Sequence, residues 1–173
     1  MNQNRQLDFS DERSNIAAKI AEIHSNRTPL SLLLDGITDV RNIGMLLRLA
    51  DAARLQTVYF YNCKPSIAKK MATARQVLPY LQLVFIETEA ELLLLQQKNT
   101  FVALEKTTQS VPYNLYDFQK NTILILGAEN SGVSQDLLDL AVATLHLPML
   151  GINTSMNVVC AASIAVYQSL TFF

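Results

Sequence analysis

Glu129, Ser131 and Ser134 in GAENSGVS, and Asn153, Ser155 and Asn157 in LGINTSMN, are the residues whose types and surroundings could do chemistry. They sit beside the apolar runs LILG, LPML and VVCAASIAV, where a polar group is costly unless it bonds protein, water or ligand. A carboxylate, amides and hydroxyls on two neighbouring loops can orient a hydroxyl and hold a polar small molecule. Helix capping explains part of the set. Ser134 opens SQDLLDLA, and Ser155 or Asn157 precedes the run VVCAASIAVY, as serine and asparagine do at N-caps. The pattern predicts a cap at Ser134 and a functional role for Glu129 together with Asn157.

Arg48 is a further candidate, in DGITDVRNIGMLLRLADAA with Asp35, Asp39 and Asn42 ahead of it. An arginine snorkelling at a helix surface and one fixed near the strand ends both satisfy that spacing. Lys64, Lys69, Lys70 and Arg75 form a basic cluster that could meet phosphates or could be a solvated helix face.

The elements that must position these residues alternate between strand and helix. Segments 122–126 and 143–147 read as buried strands, each running into a glycine-, serine- and asparagine-bearing loop and then a helix. Ligands in open α/β sheets bind where loops leave the carboxyl ends of strands, so two such loops predict one pocket. Upstream, 30–35 is a strand, 42–54 a helix with Ile43, Leu46, Leu47, Ala50 and Ala53 on one face, and 57–61 a strand. That βαβ unit requires a parallel sheet and a right-handed crossover. Helices are predicted over 10–25, behind a Ser10 cap and with His24 as a favourable C-terminal charge, over 67–76 and over 87–98. Strands are predicted over 83–86 and 100–104, and EKTTQSVPYNLYDF, with Pro112, as a loop over the sheet edge. A single α/β domain follows.

Composition bounds the function class. The 173 residues are 50% hydrophobic and 17% charged, which argues for one packed core and against disorder. The apolar runs are strand-length, so no membrane span is expected. The first fifteen residues carry no apolar core of the signal-peptide kind, and Cys63 and Cys160 have neither metal spacing nor scaffold density. Reduced thiols in a cytoplasmic protein without a metal are the expectation. A net charge of −1 argues against coating nucleic acid through bulk positive charge.

DGITDVRNIGMLLRLADAA resembles the first motif of the SpoU/TrmH group of RNA 2′-O-ribose methyltransferases, in the SPOUT superfamily. ILILGAENSGVS resembles the second and LPMLGINTSMNVVCAASIAVYQ the third, in the family's order and spacing. The resemblance spans 30–168. It implies a mostly parallel sheet flanked by helices, with a C-terminal deep trefoil knot in the cofactor-binding region 122–168 and residues 1–29 as a helical extension of one domain. It further implies S-adenosylmethionine as cofactor, a homodimer with the site at its interface, and methyl transfer to a ribose 2′-hydroxyl of structured RNA, tRNA or rRNA.

Carried over position by position, Asn42 and Arg48 fall on the first motif's functional pair, Glu129 on the second motif's acidic position, and Ser155 and Asn157 on the third's polar pair. Leu104, Gly127, Leu147, Met149 and Met156 fall against the cofactor, so a side chain at Gly127 is expected to fill the cofactor's space. Met156 stands where a leucine is common, a volume-conserving exchange. With only some thirty residues before the first strand, RNA recognition is expected from the dimer's combined surface or a partner. The alternatives are a catalytically inactive knotted RNA-binding protein and a Rossmann-type nucleotide enzyme. The second is disfavoured because no G-x-G-x-x-G follows the first strand.

Overall fold

Leu30–Asp35 (β1, LSLLLD) is buried at every position, and Thr122–Gly127 (β6, TILILG) at every position but the last. Strands covered on both faces belong at the centre of a parallel sheet, and these two pair with each other from Leu30 beside Thr122 to Asp35 beside Gly127. The computed structural model describes residues 15–64, 66–67 and 81–173. On the β1 side follow β2 (Thr57–Tyr61) and β3 (Gln82–Phe85); on the β6 side lie β4 (Thr100–Leu104), β7 (Ala143–His146) and β5 (Val111–Pro112). The order is β3-β2-β1-β6-β4-β7-β5, and every pairing is parallel.

Parallel neighbours need crossovers, which the helices supply. Leu30, Leu32 and Leu34 of β1 point to one face, where they meet Ile43, Leu46 and Ala50 of α2 (Val40–Ala52) and Ala162, Ala165 and Val166 of α5 (Val158–Ser169). Leu33 points to the other, with Ile123, Ile125 and Phe101, under Leu92 of α3 (Glu89–Gln96) and Leu137 of α4 (Gln135–Leu140). The period of two along each strand thus builds two cores. The connection after β1 leads toward β2 and that after β6 toward β7, so the carboxyl edge of the sheet opens between them.

Several boundaries differ from the sequence expectation. The first helix among the described residues, α1 (Ile16–Ser25), starts at an Asn15 cap, which accepts the Ala18 N–H; Ser10 lies outside the described residues. The predicted helix 67–76 and the residues Lys69, Lys70 and Arg75 lie largely or wholly outside them as well. α3 is shorter than 87–98 because Thr88 and Glu91 form a capping box that fixes its start. The expected loop around Pro112 contributes β5, an edge strand that pairs Val111 with Leu145 and Pro112 with His146. An edge is where a strand tolerates proline. No helix among the described residues is long and apolar enough to cross a membrane.

Candidate active site

α2 is launched by Asp39, whose carboxylate accepts the Arg41 N–H at 2.8 Å and its guanidinium at 2.8 Å. The hydrogen bond from the Arg41 side chain, then that from its backbone, lowers the Asp39 carboxyl from 3.8 to about 2. A depressed carboxyl stabilises the fold fully above its ordinary range and loses that effect as pH falls through about 2. Solvent keeps the contribution small.

The cap sets the phase of α2 so that Asn42 turns inward and is 5% exposed. Its Nδ2 donates to Glu129 Oε1 at 3.0 Å. Asn157 Nδ2 donates to the same oxygen at 2.9 Å and to Asn42 Oδ1 at 3.3 Å, while Asn157 Oδ1 accepts the Val159 N–H and caps α5. Three segments far apart in the chain therefore meet on one carboxylate oxygen. Glu129 Oε2 makes no hydrogen bond among the described residues.

Beside this triad lies a cavity of about 420 Å³, in the size range of small-molecule sites. Leu104, Gly127, Leu147, Met149 and Met156 all line it, and so do Glu129 and Ser155. Its walls combine these apolar side chains with the hydroxyls of Ser131, Thr154 and Ser155. Arg48 does not line it. Six residues past Asn42, Arg48 is turned about 240° around the helix and about 9 Å along it. It is exposed and makes no hydrogen bond or ion pair among the described residues.

Two expectations need correction. The space a Gly127 side chain would enter is already taken by the protein: a Cβ there would stand 2.1 Å from the Gly132 carbonyl carbon and 2.2 Å from Val133 N. The loop folds back on itself through the Ala128 and Gly132 bridge, and Gly132 adopts φ +67°, a left-handed conformation suited to glycine. Ser134 occupies the N-cap position of α4, but its hydroxyl makes no cap bond and is buried without a hydrogen-bond partner among the described residues. Its N–H instead donates to Asp35 Oδ2 at 2.7 Å.

Glu105 lines the cavity and is not among the residues that the motifs single out, although it follows an apolar strand. Asp35, named from the sequence only as a carboxylate ahead of Arg48, holds the Ser134 N–H. Among the described residues no group of three or more His, Cys, Asp or Glu is arranged to hold a metal ion.

The model of the SpoU rRNA methylase family matches residues 29–167. The chain is 31% identical to the 23S rRNA (guanosine-2′-O-)-methyltransferase RlmB of Pseudomonas syringae pv. tomato, over 84% of the chain and 60% of that protein. It is 28% identical to the tRNA (guanosine(18)-2′-O)-methyltransferase of Aquifex aeolicus, over 85% and 71%. The chain thus spans about 60% of the length of the RlmB relatives. Among solved structures, the A. aeolicus TrmH/SpoU tRNA modifying enzyme superposes with a TM-score of 0.72 at 20% identity, covering 90% of this chain and 82% of that one. The SpoU methyltransferase AviRb of Streptomyces viridochromogenes in complex with AdoMet gives 0.69 at 21% identity, covering 87% and 63%. At those identities the superpositions show the fold.

Proposed function

The chain belongs to the SpoU rRNA methylase family, and from that premise we propose that it transfers a methyl group from S-adenosylmethionine to a ribose 2′-hydroxyl of tRNA or rRNA. The observation that carries the proposal is the triad of Asn42, Glu129 and Asn157, in which the two asparagines, themselves outside the cavity lining, hold the Glu129 that lines it. The residues present fit the cofactor. Leu104, Leu147, Met149 and Met156 offer an apolar slot for a heteroaromatic ring, the hydroxyls of Thr154 and Ser155 suit a ribose, and Glu129 supplies negative charge for a cationic group. S-adenosylmethionine, when bound, supplies a methyl group activated on a sulfonium.

The chain's own residues position and polarise the acceptor hydroxyl. Holding the oxygen in line and stabilising its developing negative charge are the largest contributions open to a site of this kind. Arg48 is the stabiliser, since a guanidinium keeps its proton and is a poor general base, and the proton that the hydroxyl loses passes to solvent. Asn42 and Asn157 fix Glu129, and Ser155 holds the loop and the nucleotide.

Because Arg48 is exposed and does not line its own cavity, the proposal includes a homodimer in which it reaches the partner subunit's site. Support comes from the outward faces of α2 and α5, where Val40, Met45, Ile164 and Tyr167 are exposed on helices that pack side by side. Sedimentation at micromolar concentration is expected to give twice the chain mass; the mass of one chain would contradict the dimer. The proposal extends to a trefoil knot over 122–168 in a single domain. Its support is the path from β7, beyond β4, back past the 128–134 loop to α5 beside α2. The proposal includes a cytoplasmic setting, where a tRNA or rRNA substrate is met.

Calorimetry tests the cofactor directly. Saturable heat with S-adenosylmethionine and with its demethylated product is expected, and no heat with either at millimolar concentration would favour an inactive RNA-binding protein.

A further inference from the structure

β6 lies between β1 and β4, and both neighbours end in a carboxylate that the proposed chemistry does not use. Asp35 closes β1 in register with Gly127, and Glu105 follows Leu104, which is in register with Leu126. Asp35 is 3% exposed; its Oδ2 accepts the Ser134 N–H at 2.7 Å and its Oδ1 accepts Asn62 Nδ2 at 2.7 Å. Glu105 Oε2 accepts the Val133 N–H at 3.0 Å and its Oε1 the Lys106 N–H at 2.9 Å. Val133 and Ser134 are adjacent, so the two carboxylates grip consecutive peptide groups of one loop from the strands on either side of the strand that launches it. Gly132 completes the fit, since a Cβ on it would meet Glu105 Oε2 at 2.5 Å. The carboxylate stands where a side chain would be.

We propose that Asp35 and Glu105 are positioning residues that clamp the 128–134 loop and thereby set both the cavity wall and the place of Glu129. For the cofactor the proposal rests on the function inferred above. Neither N–H has another hydrogen-bond partner among the described residues, and the loop that carries Glu129 turns back at Gly132, directly before the clamped pair. A loop freed at 133 and 134 loses the fixed end of that return.

The chemistry of the two grips differs from that of a simple ion pair. Both partners of Glu105 are backbone donors that cannot reverse, but Lys106 is exposed and its N–H can turn to water, whereas Val133 is buried. The one acceptor oxygen of Glu105→Gln is therefore expected to stay on Val133. Asp35→Asn can keep Ser134 because the Asn62 amide can reverse. An acceptor, more than a charge, is what the clamp requires.

Amide hydrogen exchange of the full chain, with calorimetry of S-adenosylhomocysteine, tests this. In Glu105→Ala, Val133 is expected to exchange roughly tenfold to a hundredfold faster, as for loss of a hydrogen bond to a charged group. Leu124 in β6 stays at the wild-type rate, and the cofactor product binds at least about tenfold more weakly. Glu105→Gln restores both readouts. Gly132→Ala, which displaces the same carboxylate, is expected to copy Glu105→Ala, and Asp35→Asn to retain protection at Ser134. Unchanged exchange at Val133 in Glu105→Ala, acceleration spread equally through β6, or a loosened loop with unchanged affinity would overturn the clamp. Absence of binding to the wild-type chain would overturn the functional reading instead, and the exchange rates would then decide the clamp alone.

Discussion

Arg48→Ala is expected to slow methyl transfer roughly a hundredfold to a thousandfold, about 3 to 4 kcal/mol, with S-adenosylmethionine affinity unchanged. The magnitude is that of removing one preorganised donor from a developing oxyanion. The separation of the two readouts follows from position. Arg48 lies on the exposed side of α2 and lines none of its own chain's cavity, so nothing in that cavity loses a partner when it is cut back. Tritiated methyl incorporation into RNA and calorimetry on the same preparation check both halves. Near-normal transfer, or a parallel loss of binding, would remove the arginine from the chemical step.

Gly127→Val is expected to abolish cofactor binding and to lower stability at the same time. The added carbons meet the Gly132 carbonyl and Val133 N at 2.1 to 2.4 Å, and those are backbone atoms that cannot swing aside. Overpacking of this sort costs about 1 to 3 kcal/mol, occasionally more, and a chain of this size loses roughly 2 to 4 °C of Tm for each kcal/mol. Simple occlusion of the cavity would leave Tm where it was. Thermal denaturation beside calorimetry therefore separates a displaced loop from a filled pocket.

What the sequence could show divides along the range of the interaction. β1 and β6 were legible because strands buried on both faces are written as unbroken apolar runs, and a cap at Ser155 or Asn157, which the fold places at Asn157, because capping is settled within a turn; the Asp39 cap was not, and α2 begins two residues before the expected 42. β5 was not, since two residues next to Pro112 become a strand only when β7 lies beside them. Glu129 and Asn157 were legible as polar intrusions among apolar segments, yet their joint hold on Asn42 is a long-range bond that no local pattern encodes. Ser134 misled for the complementary reason. Its position is that of a cap, but Asp35, distant in sequence, takes its N–H while its hydroxyl is buried elsewhere. Gly127 was legible as a glycine of the site, and only the fold shows that its missing side chain makes room for the returning loop.

The central claim, methyl transfer to a ribose hydroxyl, is tested most directly by supplying the purified protein and labelled S-adenosylmethionine to total RNA from a strain lacking it. New 2′-O-methyl groups are then mapped against untreated RNA. The expected result is label confined to one or a few riboses in tRNA or rRNA, incorporated roughly a hundredfold or more slowly with Arg48→Ala. Label on a base, or no label on any RNA from a chain that binds the cofactor, would contradict it.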